Sequence, residues 1–279
     1  MEKILLAINP AKINVNTIDF ACYIANLTGS KLTAVFLKHL KREETPSLKA
    51  FHGGVSVESV LQSDLPQNSE RLNQWEQNVH VVENACKNRG VTCCIHRDKG
   101  VPTEDVVFES RFADMLIVDA EMSFHDKPET LPTEFVREVL AKSECPVVIA
   151  PYSFYGINEI VFADDGSASS AFAIKQFSYL LPELSDKKIT ILQVDESGDL
   201  PTFDNHKIRE FLQMHYGAIE FKFLHGKASD KLYGYLLLKK DAFVVMGAFG
   251  RNMLSTFFKH STAELLIKTI NAPIFIAHH

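Results

Sequence analysis

The residues best equipped for chemistry lie near the C-terminal end of the chain. Met246-Gly247-Ala248-Phe249-Gly250 is followed by nine residues, Arg251 to Lys259, and then by His260-Ser261-Thr262-Ala263-Glu264. The run Asp241–Gly247 reads as a short apolar strand, so both glycines fall where the chain turns off a strand tip. Glycine there tolerates positive φ and lets a ligand approach the backbone amides closely. Ser261-x-x-Glu264 fits a capping box that opens a final helix. The free N–H groups and positive end of such a helix favour a phosphate. An ordinary turn followed by an ordinary cap fits the same residues without any ligand.

Other constellations carry less. Asp164-Asp165 at a strand end is a carboxylate pair in sequence only, because adjacent residues there point to opposite faces. The histidines show no paired spacing with Cys or carboxylate that would mark a metal site, and no metal is expected. His225 lies near a strand tip, and His278-His279 at the terminus is given no role. Neither a Walker loop nor a Gly-x-Ser-x-Gly elbow is present. No residue is equipped for rapid hydrolysis, so catalytic residues are not expected.

The elements that must position the glycine loop come from an internal repeat. EKILLAIN (2–9) matches NEIVFADD (158–165), and the second strands KLTAVFL (31–37) and KKITILQV (187–194) follow. DMLIVDA (114–120) matches DAFVVMG (241–247), and CPVVIAP (145–151) matches APIFIAH (272–278). The first pair is offset by about 156 residues and the last two by about 127, so the first half holds about 29 extra residues. Lys41–Glu70 accounts for most of them and reads as a disordered or passive surface loop, with a functional lid as the other reading. Each half then reads β-α-β-α-β-α-β-α-β with short, mostly unalternating apolar strands, as expected when helices cover both faces. The fold class is α/β: two doubly wound, five-stranded parallel sheets, over residues 1–151 and 152–279. Ligands of such sheets sit at the carboxyl ends of the strands, near the switch in strand order.

Composition narrows the partners. At 46% hydrophobic and 23% charged residues, the chain is of globular type. Its net charge of −6 argues against nucleic acid or an anionic membrane as partner, since both reward a basic surface. No run approaches the ~18 apolar residues of a membrane span. The apolar stretch after Met1-Glu2-Lys3 is too short for a secretory signal. Five scattered cysteines, with Cys93 and Cys94 adjacent, read as reduced and structural. A cytosolic location is expected.

Gly247-x2-Gly250-x9-His260-Ser261 resembles the G-x2-G-x9-G-[ST] pattern of nucleotide-binding universal stress proteins, with histidine at one of the four marked positions. The resemblance extends over both halves apart from the insertion. Asp165-Gly166-Ser167 is similar to the family's Asp-Gly-Ser, and Gly226 to the glycine after its third strand. The family implies an adenine nucleotide, ATP or AMP, with or without Mg2+, in the second half. Gly247, Gly250, Ser261 and Thr262 would hold phosphates, while Asp165, Val194 and Met246 would surround the nucleoside. His260 would crowd the phosphates, or contact them through its amide or imidazolium. Family members pair through their fifth strands. By analogy Val147–Pro151 would pair with Ile274–His278 in an intramolecular pseudo-dimer, open to further homo-oligomerisation.

In the first half the corresponding positions are Asn9, Ala120, Ser123 and Thr133-Glu134, with Asp119, Glu121, Asp126 and Glu129 nearby. Carboxylates beside a triphosphate repel it unless a metal intervenes, so this half reads as structural. The competing reading for the whole chain is a protein-interaction module with both sites degenerate.

Overall fold

A computed structural model of the chain describes residues 1–37, 44–51, 54–61, 66–98, 100–125, 127–195, 205–239, 241–247 and 271–277. Apolar β-branched runs form its first strands, β1 (Lys3–Ile8) and β2 (Lys31–Leu37), around helix α1 (Val15–Thr28). Asn14 caps α1, its side-chain oxygen accepting from the N–H groups of Asn16 and Thr17. At the other end Gly29, at φ 65°, supplies the left-handed C-cap that glycine adopts without a Cβ penalty.

The segment expected to be a loop has structure of its own. Strands β3 (Glu44–Phe51) and β4 (Gly54–Leu61) form an antiparallel two-stranded sheet, closed by the pair Phe51 and Gly54. Within the second of these strands Val55 and Val57 begin an alternating pattern. Helix α2 (Pro66–Asn88) starts inside the same segment.

The order continues through β5 (Cys93–Asp98), α3 (Pro102–Ser110), β6 (Met115–Val118), α4 (Glu134–Lys142) and β7 (Val147–Ile149). Then follow β8 (Glu159–Ala163), α5 (Ala168–Leu180), β9 (Lys188–Asp195), α6 (Asn205–Gln213) and β10 (Ile219–His225). Helix α7 (Ala228–Leu236) and strands β11 (Ala242–Gly247) and β12 (Ile274–Ala277) complete the described elements. All eight runs matched in the repeat contain strands.

Ten strands form one sheet, in the order β10-β9-β8-β11-β12-β7-β6-β1-β2-β5. Strands up to β7 and strands from β8 onward show the same order: third, second, first, fourth, fifth. Neighbours run parallel except β7 and β12, which meet antiparallel with Val148 opposite Phe275. The α/β, largely parallel architecture is therefore the one read from the sequence.

Two core layers sandwich the sheet. On one face Ile4, Leu6, Phe162, Phe243 and Phe275 pack under α1, α2, α5 and α6. On the other, Leu5, Val161, Val244 and Ile276 pack under α3, α4 and α7. Interior strands such as β6 and β7 are buried throughout, as two-sided coverage requires. The outermost strands β5 and β10 have no fully buried residue, and each exposes two or three of its residues.

Candidate functional site

In the second half the strand order reverses between β8 and β11, because β9 lies on one side of β8 and β11 on the other. Ala163 stands beside both Leu192 and Met246, so Asp165, just past the end of β8, and Val194, near the end of β9, lie at one level next to the end of β11. That is the crevice in which an open α/β sheet presents ligands.

The turn from β8 into α5 is built by its own side chains. Asp164 is 7% exposed. Its carboxylate accepts from the Gly166 N–H at 3.1 Å, Ser170 Oγ at 2.6 Å and Gln193 Nε2 at 2.7 Å. These three donors satisfy a carboxylate that burial alone would penalise. Asp165 Oδ1 accepts from the Ser167 N–H at 3.0 Å, and Ser167 Oγ caps α5 by accepting from the Ser170 N–H. Gly166, at φ 72°, makes the bend.

Gly247 is pressed against the same turn. A Cβ there would lie 2.4 Å from the Ser169 carbonyl carbon and 2.6 Å from the Ser170 nitrogen. The bare Cα thus lets the end of β11 meet the head of α5. Its φ is not among the positive ones, so close approach rather than left-handed geometry requires glycine here.

The first half repeats the turn with different chemistry. Asn9 Oδ1 accepts from the Ala11 N–H at 2.8 Å, as Asp165 does from Ser167, while Asn9 Nδ2 donates to the Ser123 carbonyl. Asp119 accepts from Asn14 Nδ2 and from the Glu121 N–H. Glu121 also takes a hydrogen bond from Tyr152 and an ion pair from Lys12. Asn9, Lys12, Asn14, Asp119, Glu121 and Ser123 line a shallow hollow, open to solvent, at the β1–β6 switch point. The head of α4 is occupied from within: the Glu134 N–H donates to Glu129 Oε2 at 2.7 Å, and Ser123 Oγ donates to Glu129 Oε1. An internal carboxylate thus takes the N–H that a bound anion would use.

Solved structures share this architecture. A universal stress protein from Archaeoglobus fulgidus DSM 4304 superposes with a TM-score of 0.71 at 15% identity, over 99% of this chain and 96% of that one. A putative universal stress protein from Pseudomonas aeruginosa UCBPP-PA14 gives 0.59 at 16% identity, over 100% and 93%. A functionally unknown protein from Pseudomonas aeruginosa PAO1 gives 0.59 at 16%, over 100% and 92%. The fold is that of universal stress proteins. At these identities the likeness is one of fold. No protein-family model matches the chain, and no curated protein sequence does.

On this universal stress protein fold, Asp165, Val194, Met246 and Gly247 come together at the β8–β11 end. Val194 is half buried, whereas Met246 is 5% exposed and belongs to the core layer with Leu192 and Leu232. Gly250, His260, Ser261 and Thr262 lie outside the described residues. Gly226, at φ 123°, turns β10 into α7 with its N–H donating to the Asp195 carbonyl.

Sequence reasoning set Asp164 aside as half of a carboxylate pair and passed over Gln193, a polar residue in a mostly apolar strand. It named Glu129 and Glu134 only beside the degenerate loop of the first half and passed over His125; the three converge at the head of α4 although no regular spacing links them. The cysteines are free. Cys22 and Cys86 lie 3.7 Å apart between α1 and α2. Their hydrogen bond holds the Cys22 thiol below its ordinary value and pushes Cys86 up to about 12. No described helix is long and apolar enough to cross a membrane.

Proposed function

We propose that the chain is a universal stress protein of two units, 1–151 and 152–279, whose second unit binds an adenine nucleotide as a sensor or switch. The observation that carries the reading is the crevice at the β8–β11 switch point, with Asp165 and Val194 on its rim and Gly247 at the strand end behind it. The Gly247-x2-Gly250-x9-His260-Ser261 pattern continues from that strand end. Among the described residues Asp165 accepts through Oδ1 from the Ser167 N–H, which leaves Oδ2 for a sugar hydroxyl. Phosphates would lie toward Gly250 and Ser261, with Mg2+ offsetting the charge of ATP.

Thermal denaturation of the full chain with ATP and Mg2+, and with AMP, tests the proposal. A site of about 10 μM affinity adds about 2.7 kcal/mol at 1 mM ligand. That corresponds to a rise of several degrees in Tm. A flat Tm at millimolar nucleotide ends the reading. His260→Gly then reports on the departure from the family pattern: tighter binding identifies the imidazole as an obstruction, and equal or weaker binding shows that it is not.

A protein-interaction module without nucleotide is the second reading, and Gly247 is compatible with it. Its packing against Ser169 explains a glycine at this position with no ligand present.

A further inference from the structure

The chain between β6 and α4 carries a group of side chains that the nucleotide reading does not use. Among the described residues, His125, Glu129 and Glu134 each place one ligand atom within 4.8 Å of the other two. His125 Nε2 lies 3.3 Å from Glu134 Oε2, the separation of two neighbouring donors each about 2.1 Å from a shared ion. His125 and Glu134 face solvent and Glu129 is half buried, so the group is open on one side.

Donors outside the three side chains orient the carboxylate at its base. Ser123 Oγ donates to Glu129 Oε1, and the backbone N–H of Glu134 donates to Oε2. Ser123 Oγ in turn accepts from the His125 N–H at 3.1 Å. Thr133 caps α4 through the Val136 N–H, which sets where Glu134 begins the helix. Outer hydrogen bonds of this kind hold ligating carboxylates in place.

We propose that His125, Glu129 and Glu134 bind one divalent first-row cation of the Mn2+, Co2+ or Zn2+ class. Two carboxylates balance a double positive charge, and the imidazole makes a mixed nitrogen and oxygen set. Such a set suits borderline ions better than Ca2+ or Mg2+, which favour oxygen alone. Three protein donors leave positions for water. The positive end of α4 opposes a cation, and the Glu129 carboxylate on the Glu134 N–H offsets it. This site lies in the first half and stands apart from the nucleotide reading.

Titration of the full-length chain with Co2+ under reducing conditions, followed by visible absorption and calorimetry, tests it. One ion per chain is expected, with d–d bands and no thiolate charge-transfer band. His125→Ala, an exposed position that leaves the fold intact, should weaken binding at least about tenfold, and Glu129→Gln likewise. Replacing His278 and His279 with Ala should change nothing. The proposal fails if no ion binds at about 1 mM, or if binding survives both His125→Ala and Glu129→Gln. It fails equally if binding disappears with the terminal histidines, or if the spectrum is that of cobalt thiolate.

Discussion

At the scale of single residues, Gly247 and Asp164 hold the β8–β11 crevice in shape. Gly247→Ala puts a methyl group into the backbone of α5, which cannot swing aside as a side chain could. A loss of about 1–3 kcal/mol is expected, measured as a lower urea midpoint. Unchanged stability would show that the close approach is not the reason for the glycine. Asp164→Ala removes the buried carboxylate that accepts from Gly166 N–H, Ser170 Oγ and Gln193 Nε2, at a cost of about 1–3 kcal/mol. The thiols divide by exposure: Cys94 is exposed, whereas Cys22, Cys86 and Cys145 are buried. Burial pushes the Cys145 thiol up to about 12. An aromatic disulfide reagent should therefore modify Cys94 in the native chain and reach those three only on unfolding.

At the scale of elements, β8, β9 and the turn that follows α7 are tied by Glu159, which is 6% exposed. It accepts from Thr190 Oγ1 and Lys239 Nζ. Burial pushes this carboxyl upward, but the hydrogen bonds from Lys239 and Thr190 outweigh it and hold the group below its ordinary value. A carboxyl depressed by folding contributes stability that is complete above its unfolded value near 4.5 and is lost as pH falls through the folded one. Glu159→Gln should therefore flatten part of the acid limb of a urea-stability profile below about pH 4.5 while leaving its neutral-to-alkaline shape less changed. Lys239→Met leaves the carboxylate with the more distant Lys188 Nζ, at 3.8 Å, and should cost up to about 3 kcal/mol at pH 7. The strand and helix runs of these elements were legible, because apolar runs bounded by Gly, Pro and Asn show where the chain must turn. The hairpin β3–β4 was not, because its polar, glycine-punctuated strands lack the apolar runs that mark a strand packed into the main sheet.

At the scale of the whole molecule, the antiparallel meeting of β7 and β12 makes one ten-stranded sheet out of two runs of identical strand order. Strand β7 has β6 on its other side, so every residue in it faces a partner. Val148→Pro removes a ladder donor at the centre of the sheet and should cost about 3 kcal/mol or more. Denaturation followed by circular dichroism measures the loss. Phe20 of α1 packs edge-on to Phe243 of β11 and to Phe154, with ring centroids 6.3 and 5.2 Å apart. The join is therefore continuous with the core on that face.

What the amino-acid sequence determined by itself was periodic: where strands and helices fall, that the strands are covered on both faces, and that their runs recur along the chain. Burial and turning are local demands, and composition records them directly. Only the tertiary structure decided which polar atoms meet. Asp164 finds Gln193 across a strand pair, Gly247 finds the backbone of α5, and His125 finds Glu134 across the approach to a helix. Those partners stand apart in the chain, and strand order and loop path, which no spacing encodes, bring them into contact.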